Sequence, residues 1–102
     1  MPNLSIQIVS FVNDTQPGVV ESHFTDVDGR NHRIIDKVPI FTTSWLGKTS
    51  RYPQPGVVRC ELLAEWRDPL GRQLRRITTS RPDNVESVEG LSEFVVLAEQ
   101  VS

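Results

Sequence analysis

The chain has 102 residues, of which 37% are hydrophobic and 24% charged, with a formal net charge of −2 and a pI of about 5.6. That is one globular domain with a modest core, short for a core plus a deep active-site cleft, and its charge balance argues against nonspecific nucleic-acid or membrane-surface binding. Cys60 is the lone cysteine, so no intrachain disulfide can form. No apolar run approaches membrane-spanning length, and no basic segment leads into an apolar stretch near residue 1, so a reduced, cytoplasmic protein is expected. Nine of the eleven basic residues are arginine, whose planar fork suits carboxylates and phosphates.

Taken in order, Leu4, Ile6 and Ile8 alternate with Ser5 and Gln7, which predicts a half-buried strand over Leu4–Val12. The phase slips near Val9, where a bulge or a strand end is expected. Asn13 to Gly18 is dense in turn formers and reads as a loop. Val19–Asp26 and Asn31–Lys37 form a first hairpin that pairs Phe24 with His32, Ser22 with Ile34 and Val20 with Asp36. The opposite face, carrying Glu21, His23, Arg33 and Lys37, is placed in solvent. Pro39 interrupts the strand or marks an edge, and Ile40–Thr43 is expected as a short strand. A long connection follows, rich in Trp45, Tyr52, Pro53 and Pro55; loops of this length commonly carry function.

Val57–Asp68 and Arg72–Thr79 form a second hairpin. Its register collects Val58, Cys60, Leu62, Ala64, Trp66 and Leu74 on the expected core face. Arg59, Glu61, Glu65, Arg67, Gln73 and Arg75 fall on the wet one. Ser80–Asn84 turns around Pro82, Val85–Gly90 is open between strand and loop, and Glu93–Val101 is the last strand. Apolar residues on both of its faces place that strand centrally or at the closure of a barrel.

The two hairpins share a frame. Asp26-Val27-Asp28-Gly29-Arg30 and Asp68-Pro69-Leu70-Gly71-Arg72 both read Asp-x-x-Gly-Arg. The Asp opens a type I turn and the Gly supplies the positive φ that closes a bulged hairpin. Pro17-Gly18-Val19-Val20 and Pro55-Gly56-Val57-Val58 precede them, and Pro39 and Pro82 follow. Duplication of one unit and recurrence of ordinary hairpin chemistry both explain this frame. Either way the expected fold is all-β, a small antiparallel barrel or sandwich of about six or seven strands.

Several chemical signals dissolve on inspection. Gly47-Lys48-Thr49-Ser50 lacks the upstream glycine and the following helix of a phosphate-binding loop. Asp26–Gly29 lacks the distal glutamate of a calcium loop. His23 and His32 point to opposite faces, so they make a poor metal pair, and Cys60 sits among core positions. No catalytic residue, cofactor or metal site is assigned.

Two features remain as candidate binding sites. One is the loop bearing Trp45, Lys48, Arg51 and Tyr52, the residue types that anchor protein interfaces, or else a lid folded over an open barrel end. The other is an arginine cluster with Arg72 and Arg76. In the register above Arg76 lies core-side opposite Ala64, where it needs Glu86, Glu89, Glu93 or a ligand.

Asp28-Gly29-Arg30, Ile35-Asp36-Lys37-Val38-Pro39, Tyr52-Pro53-Gln54-Pro55-Gly56 and Glu89-Gly90-Leu91-Ser92-Glu93-Phe94 together resemble short bacterial single-domain proteins of unknown function. Some small cytoplasmic proteins of this style are immunity proteins, which bind and block a partner toxin. The Gly-Arg-strand pattern is also similar to the β-barrel domains of translation elongation factors, a likeness that bears on fold alone. The expected function is a non-enzymatic, protein-binding module. The alternatives are a homodimeric structural module paired through the last strand, and a small enzyme using His32 with Asp36 or a nearby Glu.

Overall fold

A computed structural model describes residues 1–102. The chain is all-β. Strands β1 (Asn3–Asn13), β2 (Val19–Thr25), β3 (Asn31–Lys37) and β4 (Gln54–Arg59) form one antiparallel sheet in the order β3-β2-β1-β4. Strands β5 (Glu61–Arg67), β6 (Gln73–Thr78) and β7 (Glu93–Leu97) form a second in the order β5-β6-β7. Neither sheet closes on itself.

Both turns have the expected chemistry, and their geometry is nearly the same. Asp26 Oδ1 accepts the N–H groups of Asp28 at 2.8 Å and Arg30 at 3.1 Å, while Asp68 Oδ1 accepts those of Leu70 at 3.0 Å and Arg72 at 2.8 Å. Gly29 and Gly71 close them at φ +83° and +82°. The first hairpin pairs Phe24 with His32, Ser22 with Ile34 and Val20 with Asp36, as expected. The slip near Val9 is a bulge between Ile8 and Ser10 in the β1–β2 ladder. The polar outer face of the hairpin carries an ion-pair network. Glu21 accepts two hydrogen bonds from Arg33 at 3.1 Å each and meets His23 Nε2 at 2.6 Å.

The core lies between the sheets. Leu4, Ile6, Ile8, Val20, Phe24, Ile34 and Val58 come from the first sheet, Ile77, Phe94 and Val96 from the second, and all are buried. Phe24 and Phe94 meet edge to face with centroids 4.9 Å apart, a favourable arrangement of ring quadrupoles.

Four expectations are corrected. Val57–Asp68 is not one strand. It breaks at buried Cys60, whose N–H donates to Pro2 O at 3.0 Å, and the two halves join different sheets. Ile40–Thr43 is not a strand either, because Val38–Phe41 form one helical turn, α1, with Pro39 in its first turn where its missing N–H costs nothing. The last strand ends at Leu97 and gives way to a 3₁₀ turn, Ala98–Gln100. It is an edge strand of its sheet, not a central one.

The fourth correction concerns Leu62, Ala64, Trp66 and Arg76, which are all exposed. A bulge between Leu62 and Ala64 flips the phase of β5. Leu62 shares a face with core-facing Ile77, but Ala64 and Trp66 share the outer face with Arg76 and Leu74. Arg76 therefore projects into solvent and needs no internal carboxylate; no ion pair holds it.

Candidate functional site

The loop from Thr42 to Pro53 is both lid and exposed rim. Leu46 is buried, and Tyr52 packs against the core with its hydroxyl donating to Gly47 O at 2.8 Å. Gly47 and Ser50 hold a tight turn by mutual bonds: Gly47 N–H to Ser50 Oγ at 2.9 Å, and Ser50 N–H to Gly47 O at 3.1 Å. These contacts fix the loop from within.

Immediately before the first anchor, Leu46, Trp45 stands 81% exposed. The tip of its indole lies against Gly47, where an added Cβ would come within 2.6 Å of Cη2. The absence of a side chain at Gly47 leaves room for the ring to lie there, with no side chain covering its outer side. Lys48 follows, exposed and free of any ion pair.

Trp45 and Lys48 form one wall of a groove of about 780 Å³. The other wall is the Asp14–Gly18 loop, with Phe11, Val38 and Leu46 also lining it. That wall is shaped locally: Thr15 Oγ1 donates to Asn13 Oδ1 at 2.8 Å, and Val38 N–H donates to Gly18 O at 2.9 Å, tying the loop to α1. Asp14 brings a second charge without an ion pair. The groove thus offers an aromatic face, a cation, an anion and several hydroxyls. The turn formers of residues 13–18 marked a loop in sequence, but nothing local revealed that it would face Trp45.

The remaining candidates lie elsewhere. Arg51 is exposed beside the groove without lining it. Arg72, in the turn before β6, and Arg76, on β6, line no part of it. Arg72 donates through Nε to Asp68 Oδ2 at 2.8 Å within its own turn. A second groove of about 1000 Å³ runs beside β1 and β4, but its charged groups, Arg59 and Asp83, satisfy each other at 2.6 and 3.0 Å.

His32 is buried between Phe24 and Phe94, with Nε2 2.7 Å from Asp26 Oδ2. The carboxylate in reach is Asp26, not Asp36, and the ring has no open side for a substrate. Burial pushes the Cys60 thiol up from its usual range, away from the reactive thiolate. No three His, Cys, Asp or Glu side chains converge as a metal site would require. No helix is long and apolar enough to cross a membrane. No family model, curated protein or solved structure matches this chain.

Proposed function

We propose that the chain is a non-enzymatic protein-binding module that receives its partner in the groove between the Trp45 loop and the Asp14–Gly18 loop. One observation carries this reading: an indole is held in water on a loop that is otherwise pinned to the core. A large apolar ring left solvated costs free energy in the isolated chain, and covering it recovers that cost. Trp is also among the residue types enriched where single side chains dominate binding. Lys48 and Asp14 flank it and would select a partner carrying both signs of charge. Blocking the partner, as the likeness to immunity-type proteins implies, is the form of activity this reading favours.

The test is a comparison of stability and binding. Trp45→Ala and Lys48→Ala should leave the melting temperature within a degree or two of wild type, since neither side chain is buried, while reducing partner capture at least tenfold. Unchanged capture would remove the groove from the reading, and a large loss of melting temperature would make Trp45 part of the core.

A further inference from the structure

The two sheets have four edges, and three of them are sheltered. The N–H of Val88 reaches across to Arg33 O on β3 at 2.8 Å. Helix α1 packs by β4, where Pro55 also removes a donor. The N–H of Val27 donates to Val95 O on β7 at 3.0 Å. The edge of β5 has no such cover, because no main-chain bond from a loop or turn involves residues 61–67. An open edge with exposed apolar side chains is a template for another strand.

We propose that this edge takes the same strand of a second copy of the chain, antiparallel and related by a two-fold axis at Trp66. The hairpin sets the phase. Asp68 turns its N–H inward, to Arg72 O at 2.9 Å, so Trp66 also faces β6 while Glu65 and Arg67 aim their main-chain groups outward. Pairing Glu65 with Arg67 of the second copy, and the reverse, uses those outward groups in about four main-chain hydrogen bonds. The same register sets opposite charges directly across the strands. It also brings Trp66 against Trp66 of the second copy in the non-hydrogen-bonded position, where side chains approach closest.

The face they share already carries Leu74, buried outside the main core, and half-buried Leu97. Other registers are poorer. A shift of one residue at each copy, centring the axis on Glu65, sets that carboxylate against itself. Pairing further along β5 runs into the bulge at Leu62–Ala64, which ends the regular ladder.

The experiment is sedimentation equilibrium over a concentration series, with circular dichroism confirming that each variant is folded. The wild-type chain should form dimers. Arg67→Glu should be monomeric, because it places Glu65 against a carboxylate at both ends of the interface, and Glu65→Arg should be monomeric for the mirrored reason. An equimolar mixture of the two variants should recover a heterodimer, since both contacts across the two-fold axis are again between opposite charges, although Glu65→Arg gives up its bond from Arg75 within the hairpin. A wild-type monomer at millimolar concentration would overturn the proposal. So would a dimer that persists in Arg67→Glu, which would place the interface on another surface, or a mixture of folded variants that stays monomeric.

Discussion

Asp26 and Asp68 perform the same task in their turns, yet they are not equivalent. Their Oδ1 atoms each accept two turn N–H groups. The difference lies in Oδ2. In Asp68 it meets the exposed Arg72 guanidinium, whereas in Asp26 it meets His32, which is buried and whose Nδ1 has no hydrogen-bond partner. Removing the Asp26 carboxylate would leave the imidazole without its one bond inside the fold. Asp26→Ala should therefore cost about 2–3 kcal/mol, the penalty of a turn plus an orphaned buried polar group. Asp68→Ala should cost clearly less in the same urea titration. Equal losses would mean that the His32 bond adds nothing.

Charge at single residues also sets a pH dependence. Hydrogen bonds from Arg33 and His23 hold the Glu21 carboxyl down at about 2, against an ordinary value of 4.5. Burial pushes Asp26 up, but hydrogen bonds from His32 and from the N–H groups of Arg30 and Asp28 outweigh it and leave the carboxyl lowered. A carboxyl whose folded pKa lies below its unfolded one binds fewer protons when folded. Its stabilisation is complete above the unfolded value and is lost as pH falls toward the folded one. For Glu21 that window runs from about 4.5 down to about 2. The urea midpoint should hold level above the window and fall within it, and Glu21→Gln should flatten part of the fall. An identical acid limb in the variant would contradict the role of this network.

At the scale of elements, what sequence reveals is what a few neighbouring residues decide. The Asp-x-x-Gly-Arg turns are complete within five residues, and their chemistry fixes both hairpin registers, including Phe24 with His32 and Trp66 with Leu74. The slip at Val9 was readable because an alternating pattern breaks there. The bulge at Leu62–Ala64 was not readable, because Leu62, Leu63 and Ala64 are all apolar and a phase change among them leaves no trace. Every downstream side chain then lies on the opposite face from the one expected. Trp66 and Ala64 keep company with Leu74, but on the outer side of the sheet. The break at Cys60 was hidden for a similar reason, since Val58 and Cys60 continue the same apolar alternation across it.

Glycines mark element geometry in two physically distinct ways. At Gly56 in β4 an added Cβ would lie 2.9 Å from both Phe41 O and Ile8 Cδ1, so backbone must move. At Gly71 the space is open, and only the φ of +82° resists a side chain. Gly56→Ala should lose about 1–3 kcal/mol by overpacking, and Gly71→Ala about 1–2 kcal/mol by backbone strain. Crystal or NMR coordinates of the first variant should show α1 displaced from β4, whereas those of the second should differ only at the turn. An undisturbed α1 would contradict the close approach.

At the scale of the whole molecule, the fold is elongated, 45 × 23 × 23 Å, with its core drawn from both sheets. Such a shape has much surface for its length, and the second hairpin carries apolar residues that the core does not reach: Leu70 is 79% and Trp66 36% exposed. The all-β class was legible from alternation and turns. The groove was not, because its two walls are brought together only by the docking of α1 and the Asn13–Gly18 loop. The Trp45 loop was singled out by composition, yet its division of labour depends on tertiary contacts. Leu46 and Tyr52 hold while Trp45 and Lys48 face outward, and one loop contains both an anchor and a free rim.

The most direct test places a photo-crosslinking amino acid at position 45 and, as a control, at exposed Thr25. Irradiation in cells followed by mass spectrometry should give one dominant protein adduct from position 45, absent from the control and lost when Lys48 is also changed to Glu. Adducts identical from both positions, or none from position 45, would contradict a partner seated in this groove.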